Sequence, residues 1–157
     1  MNTKNNIRVG VIIIENNKLL VTRINKNNKY TYVLPGGSLE AREDMFQAVI
    51  REVKEETHLT IDIENLKLKF IKELYTDEDE HGIEFIFIAN TYGGELKLGH
   101  DPEYIDNPVL DEVKFVDLNE LDTINFHPKQ IIPYLLKNNL DNLTKDIIHL
   151  GLFKYPE

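Results

Sequence analysis

Residues 37–59 read GSLEAREDMFQAVIREVKEETHL, and the spacing inside this stretch decides how the chain is read. Phe46, Val49, Ile50 and Val53 recur at i, i+3, i+4 and i+7, which makes an apolar stripe along a helix. Asp44 with Gln47 three residues later has the form of a capping box and places the helix start near Met45. Glu52, Glu55 and Glu56 then share one helical face, because residues three and four apart are surface neighbours. At about 100° per residue that face is centred roughly 120° from the apolar stripe. The helix is expected to pack on one side and show carboxylates on the other. Like charges so close repel one another, and a divalent cation is the natural means of keeping them together. Just upstream, Gly36 and Gly37 form a tight loop that lets backbone approach a phosphate.

Outward from this helix the pattern is β. Residues 7–14 and 18–24, joined by Glu15, Asn16 and Asn17, read as a hairpin. Residues 25–29 are polar and read as a loop, and 30–34 as a short strand stopped by Pro35 and the two glycines. Beyond Leu59 come one long or two short strands over 61–75, an acidic loop over 76–82 and a strong strand over 83–92. A long loop follows over 93–107, then a last short strand over 113–116. Residues 128–137 fit a second helix that Pro133 should kink or shorten. The C-terminal tail, about 128–157, is expected to be helical and to pack as an appendage. Mixed strands and two helices, without repeats or linker-like stretches, predict a single-domain α/β sandwich over residues 1–157.

The chain of 157 residues is long enough to bury a real core. Its 27 acidic and 18 basic side chains leave a net charge of -9, which argues against general binding to nucleic acid or an anionic membrane. A polyphosphate would be repelled too, unless metal ions screened it. Cysteine is absent, so disulfides and thiolate chemistry are excluded. The N-terminus MNTKNNIRVG lacks a signal-peptide apolar core, and the apolar run over 11–14 is too short to span a membrane. A cytoplasmic location is the default expectation.

These residues resemble a known family. The Nudix hydrolase signature is Gly, five residues, Glu, seven residues, Arg-Glu, an aliphatic, any residue, Glu-Glu, any residue, Gly and an aliphatic. Gly37, Glu43, Arg51, Glu52, Val53, Glu55, Glu56 and Leu59 match eight of its nine defined positions, and Leu34-Pro35-Gly36 resembles the usual lead-in. Chance would supply such a match in a chain of this size about once in 10⁵ to 10⁶. The departure is His58, where the family has glycine. Glycine there would relieve a left-handed backbone at the helix C-terminus, where histidine costs about 1 kcal/mol of local strain; a different helix ending is an equally fair reading.

Similarity to MutT-like Nudix hydrolases implies an α/β/α sandwich with a mixed β-sheet between helices. It implies Mg²⁺-dependent hydrolysis, with Mn²⁺ as a substitute, of a nucleoside diphosphate linked to another moiety: a nucleotide sugar, ADP-ribose or a nucleoside triphosphate. Under this resemblance the candidate catalytic residues are Arg51, Glu52, Glu55, Glu56 and Glu43. Glu52, Glu55 and Glu56 would hold the metal, joined by the Gly37 backbone carbonyl, while Arg51 and Glu43 orient loop and helix by pairing. Gly36 and Gly37 would meet the substrate, and Glu40 supports the metals in some relatives.

The motif leaves the general base open, with Glu112, Glu103 and Glu84 as candidates. Arg23 is a candidate phosphate contact, and a solvated hairpin end is its plainer account. Tyr32 reads first as core packing, and Phe85, Phe87, Tyr75 and Tyr104 are candidates for recognising base and sugar. His81, His100, His127 and His149 show no metal-ligand spacing and read as loop or cap residues. The implied partner is a small nucleotide or phosphate ester, with no nucleic acid or membrane; the exposed pattern does not decide for or against a homodimer. A non-catalytic Nudix-fold nucleotide sensor is the competing reading, but such proteins usually lose metal glutamates that this chain keeps. An isomerase acting on a small diphosphate ester would need a cysteine nucleophile.

Overall fold

Strand β1 (Lys4–Ile12) organises the molecule, because its second half, from Val9, is buried on both faces. Val9 and Val11 point to one side and Ile12 to the other, all of them at most 1% exposed. A strand covered on both faces belongs inside a sheet. β1 accordingly pairs parallel with β7 (Glu80–Ala89) and antiparallel with the short β5 (Gly36–Ser38). The sheet continues from β7 to β6 (Leu66–Tyr75) and ends at β10 (Ile148–Lys154). A second sheet runs β2 (Ile14–Glu15), β3 (Lys18–Lys26), β4 (Lys29–Val33) and β9 (Phe126–His127), with β8 (Leu110–Asp117) antiparallel to β3. In a computed structural model, residues 4–102, 109–137 and 146–156 are described.

Helix α1 (Met45–Thr57) covers one side, where its Ala48, Val49 and Val53 join Val9, Val11, Leu20 and Phe87 in one core. The opposite side is covered by a 3-10 helix (Leu118–Thr123) and α2 (Ile132–Leu136). There Leu121, Ile131 and Leu135 pack with Ile12, Val21, Phe70 and Ile86. Mixed β-structure between helices makes an α/β/α sandwich, as the resemblance implies. No described helix is long and apolar enough to cross a membrane.

Several expected elements are redrawn. The hairpin of 7–14 with 18–24 shrinks to the two-residue arm β2 against β3, since β1 crosses to the other sheet. The turn is Asn16-Asn17, at φ 50° and 62°, the left-handed pair that a two-residue hairpin needs. The polar stretch 25–29 is also a hairpin and not an open loop. Asn27 and Asn28, at φ 52° and 61°, turn β3 directly into β4. Asparagine is among the few non-glycine residues that accept this region. The acidic loop over 76–82 is shorter than expected, because Glu80–Ala89 already runs as strand.

The helical C-terminal tail expected over 128–157 is corrected. Its first part is helical: Pro133 lies in the opening turn of the five-residue α2, where a missing N–H costs nothing. Residues 148–154, however, form strand β10, parallel to β6 at the sheet edge. Ile148 and Leu150 alternate inward onto the core, a period of two that a helix cannot satisfy. Thus 113–116 is not the last strand, since β9 and β10 follow it.

Candidate active site

The helix that carries the carboxylates is well defined at both ends. Asp44 accepts from the Phe46 and Gln47 N–H groups, and the Gln47 side chain accepts from the Asp44 N–H, completing the capping box. At the other end His58 is left-handed, at φ 62° and ψ 0°, and its N–H donates to the Lys54 carbonyl. The departure from glycine at position 58 therefore keeps the backbone shape that glycine favours. Loop residues 97–100 lie against the same helix end. The N–H groups of Lys97, Gly99 and His100 donate to the carbonyls of Thr57, Glu56 and Glu55 at 3.0, 2.8 and 3.0 Å.

The carboxylate face is less exposed than its spacing suggests. Glu52 and Glu56 are only 7% and 4% exposed, while Glu55 is half-buried. The reason is β5, which lies over them. Glu56 Oε2 accepts the Gly36 N–H at 2.9 Å. A Cβ on Gly37 would fall on the Glu52 carboxylate and push it from its present place. Gly36, at φ 154°, leaves no room for a Cβ against the Val9 carbonyl.

Arg51 gathers the acids. Its Nε and Nη2 donate to the two oxygens of Glu43 at 2.8 and 2.9 Å, a bidentate pair. Nη1 reaches Glu52 at 2.8 Å and Glu55 at 3.1 Å, and Nη2 also reaches the Ser38 carbonyl at 3.1 Å. Glu40 stands further off, 3.9 Å from Nε, and its N–H donates to Glu43. Loop and helix are thus tied together through one guanidinium.

Burial and charge shift these acids in opposite directions. The Arg51 bond holds Glu43 below the usual carboxylate range. Burial raises Glu52, partly offset by Arg51. Burial also pushes Glu56 up to about 8, against the Gly36 N–H bond, which favours its charged form. Asp101 adds like charge that raises both Glu52 and Glu56, whereas Arg8 acts the other way on Glu56. The sequence reading passed over Asp101 and Arg8, since neither lies in the motif.

As placed, no three acidic or imidazole groups among the described residues converge on one point. Arg51 takes up one oxygen each of Glu52 and Glu55, in competition with a cation there. The donor set nevertheless fits a hard divalent ion: carboxylate oxygens alone, two of them buried beside a strand with no side chain at Gly36 or Gly37.

Other candidates lie elsewhere. Arg23 pairs with Asp111 at 2.7 Å and Glu112 at 3.4 Å, with its guanidinium 4.8 Å from the Tyr30 ring centre. Glu112 also takes bonds from Lys114 at 3.0 Å and Tyr32 at 3.3 Å, and Lys114 holds it below the usual range. This network sits on β3, β4 and β8. Glu84 lies opposite Arg8 and Lys72 in strand register, beside Gly10. Phe87 is fully buried edge-on to Phe46, so it serves the core, and Phe85 packs against the same core. Tyr75 is exposed on β6. Glu103 and Tyr104 lie outside the described residues. His81 and His149, expected as loop or cap residues, sit in β7 and β10 and each bond Glu73 at 2.8 Å. His127 lies in β9 and bonds Asn125.

The NUDIX domain model matches residues 4–135. The chain belongs to the Nudix family. It is 37% identical over 127 residues to an ADP-ribose pyrophosphatase of Methanocaldococcus jannaschii, covering 78% of this chain and 68% of that protein. It is 32% identical over 120 residues to the 8-oxo-dGTP diphosphatase of Escherichia coli K12, covering 73% and 89%. In fold it resembles a MutT protein from Bacillus halodurans, with a TM-score of 0.70 and 24% identity over 96% of this chain and 90% of that one. This Nudix protein is a pyrophosphohydrolase, with activity of the family kind on a nucleotide-linked diphosphate.

Proposed function

We propose that this Nudix enzyme uses Mg²⁺ to hydrolyse a nucleoside diphosphate linked to a second moiety, with ADP-ribose-like molecules the leading class. The observation that carries the metal dependence is the pair of buried carboxylates, Glu52 and Glu56, beneath the Gly36–Ser38 strand. Burying charge without a partner is costly, and the protein's own partner for Glu52, Arg51, is already shared with Glu43 and Glu55. The ADP-ribose preference rests on the 37% identity to an enzyme named for that substrate.

In this reading Glu52, Glu55 and Glu56 are the ligands, joined by the Gly37 carbonyl, and Asp101 adds negative charge nearby. Bound there, Mg²⁺ would screen the diphosphate and activate the attacking water. Arg51 and Glu43 keep loop and helix in register. The Gly36–Gly37 backbone leaves space for a phosphate to approach. Arg23, bonded chiefly to Asp111, and Glu112, bonded to Lys114 and Tyr32, are held in the β3–β4–β8 network, and this reading gives them no role in the core chemistry.

The test is turnover of purified protein with Mg²⁺ on ADP-ribose, nucleotide sugars, dinucleoside polyphosphates and nucleoside triphosphates. Glu56→Gln, which keeps an acceptor for the Gly36 N–H, is the blank. Metal-dependent phosphate-ester release absent from the variant is the expected result. Binding of these ligands without turnover would instead establish a sensor.

A further inference from the structure

Resting on that reading, we propose that the strap over 93–100 is a positioning element for the last turn of α1, holding Glu55 and Glu56 in place where His58 stands instead of the motif glycine. Both acids sit in the final turn, because the helix ends at Thr57. A helix leaves its last carbonyls without internal partners, so this turn is the part most prone to fray. The left-handed His58 adds strain there that glycine would not. Backbone of the strap meets this weak end. Gly93 and Thr60 exchange two N–H to carbonyl bonds at 2.9 and 3.0 Å, and the N–H groups of Lys97, Gly99 and His100 reach the carbonyls of Thr57, Glu56 and Glu55. These five backbone bonds run along residues 55–60.

The two segments lie backbone on backbone. A Cβ on Gly99 would overlap the Glu55 carbonyl, and one on Gly94, at φ 87°, would come within 3.1 Å of the His58 carbonyl. The strap's apolar anchor is Leu96, which packs against the core formed by Val49, Val53 and Leu59. Glu56 is thereby held at both ends. Its carbonyl accepts from Gly99 at 2.8 Å and its Oε2 from Gly36 at 2.9 Å. Lifting the strap frees the first of these ends, and the carboxylates move with the backbone that carries them. The strained ending at His58 would then rest on its bonds to Lys54.

The experiment compares Mg²⁺ binding by calorimetry with melting temperature. The proteins are wild type, Gly99→Ala, Leu96→Ala, His58→Gly and the double variant of His58→Gly with Gly99→Ala. Leu135→Ala, in the opposite core, is the control for lost stability alone. Gly99→Ala and Leu96→Ala are expected to weaken Mg²⁺ about tenfold or more, the usual effect of removing a group that braces metal ligands. Leu135→Ala should melt lower with unchanged Mg²⁺ affinity. His58→Gly should leave affinity unchanged by itself and restore about fivefold of the Gly99→Ala loss, the worth of one relieved left-handed residue. A folded Gly99→Ala protein with wild-type affinity would overturn the inference. So would an equal loss in Leu135→Ala, or a double variant no better than Gly99→Ala. If Gly99→Ala does not fold, Leu96→Ala decides in its place, alone and combined with His58→Gly. Wild type binding Mg²⁺ no better than Glu56→Gln would refute the metal reading itself, a separate outcome.

Discussion

Arg51→Met is the most informative single change, because it keeps the aliphatic stem and deletes one charge shared by three acids. The lost contacts are the bidentate pair to Glu43, single bonds to Glu52 and Glu55, and the bond to the Ser38 carbonyl. Breaking a fully buried pair costs about 3–5 kcal/mol. The Arg51 side chain is 22% exposed and those of Glu43 and Glu52 are 12% and 10%, so the lower end applies. With about 3 kcal/mol lost, a domain of this size should melt about 6–12 °C lower without metal. The same substitution frees the Glu52 and Glu55 oxygens and removes a competing cation. Added Mg²⁺ should then raise the melting temperature more in Arg51→Met than in wild type, since a tighter ligand stabilises more at equal concentration. Differential scanning fluorimetry with and without Mg²⁺ measures both effects. A variant that melts like wild type would refute the structural role given to Arg51. A Mg²⁺ shift no larger than in wild type would refute the competition between guanidinium and cation.

Gly37→Ala should abolish turnover and lower the melting temperature, because the new methyl falls on the Glu52 carboxylate; a folded, active variant would contradict the close packing of β5 on α1. His58→Gly should raise stability by about 0.5–1 kcal/mol by relieving a left-handed non-glycine residue, which chemical denaturation can read directly. Glu73 is held below the ordinary value of 4.5 by bonds from His149 and His81. A depressed carboxylate pKa stabilises the fold above the unfolded value and loses that contribution as pH falls through the folded one. Melting curves of wild type should therefore show an acid-side decline below about pH 4.5 that is reduced in Glu73→Gln, and superimposable acid limbs would count against a contribution from the Glu73 bonds to His81 and His149.

Much of the site was legible locally. A capping box, an apolar stripe and the E-x-x-E-E spacing are short-range patterns, and α1 begins where they place it. At His58 the sequence left two readings open, a left-handed cap or a different helix ending, and the structure takes the first. What local patterns could not reveal was which strand lies beside which. The stretch 7–14 looks like half of a hairpin, yet its pairing energy comes from β7, more than seventy residues away in sequence. The strand at 148–154 was hidden for the same reason: it gains its bonds from β6 at the sheet edge.

By itself, then, the sequence determined the helix, its carboxylate spacing, the glycine pair and, through these, the Nudix family. These depend on backbone sterics and on the helical period, which act within a few residues. Tertiary structure alone decided how deeply Glu52 and Glu56 are buried, because that burial is the work of β5 laid across them. It also decided that Arg51 binds three acids at once, that Arg23 is turned to Asp111, and that residues 97–100 close over the end of α1. Burial and electrostatics depend on where distant segments meet, and no spacing along the chain carries that information.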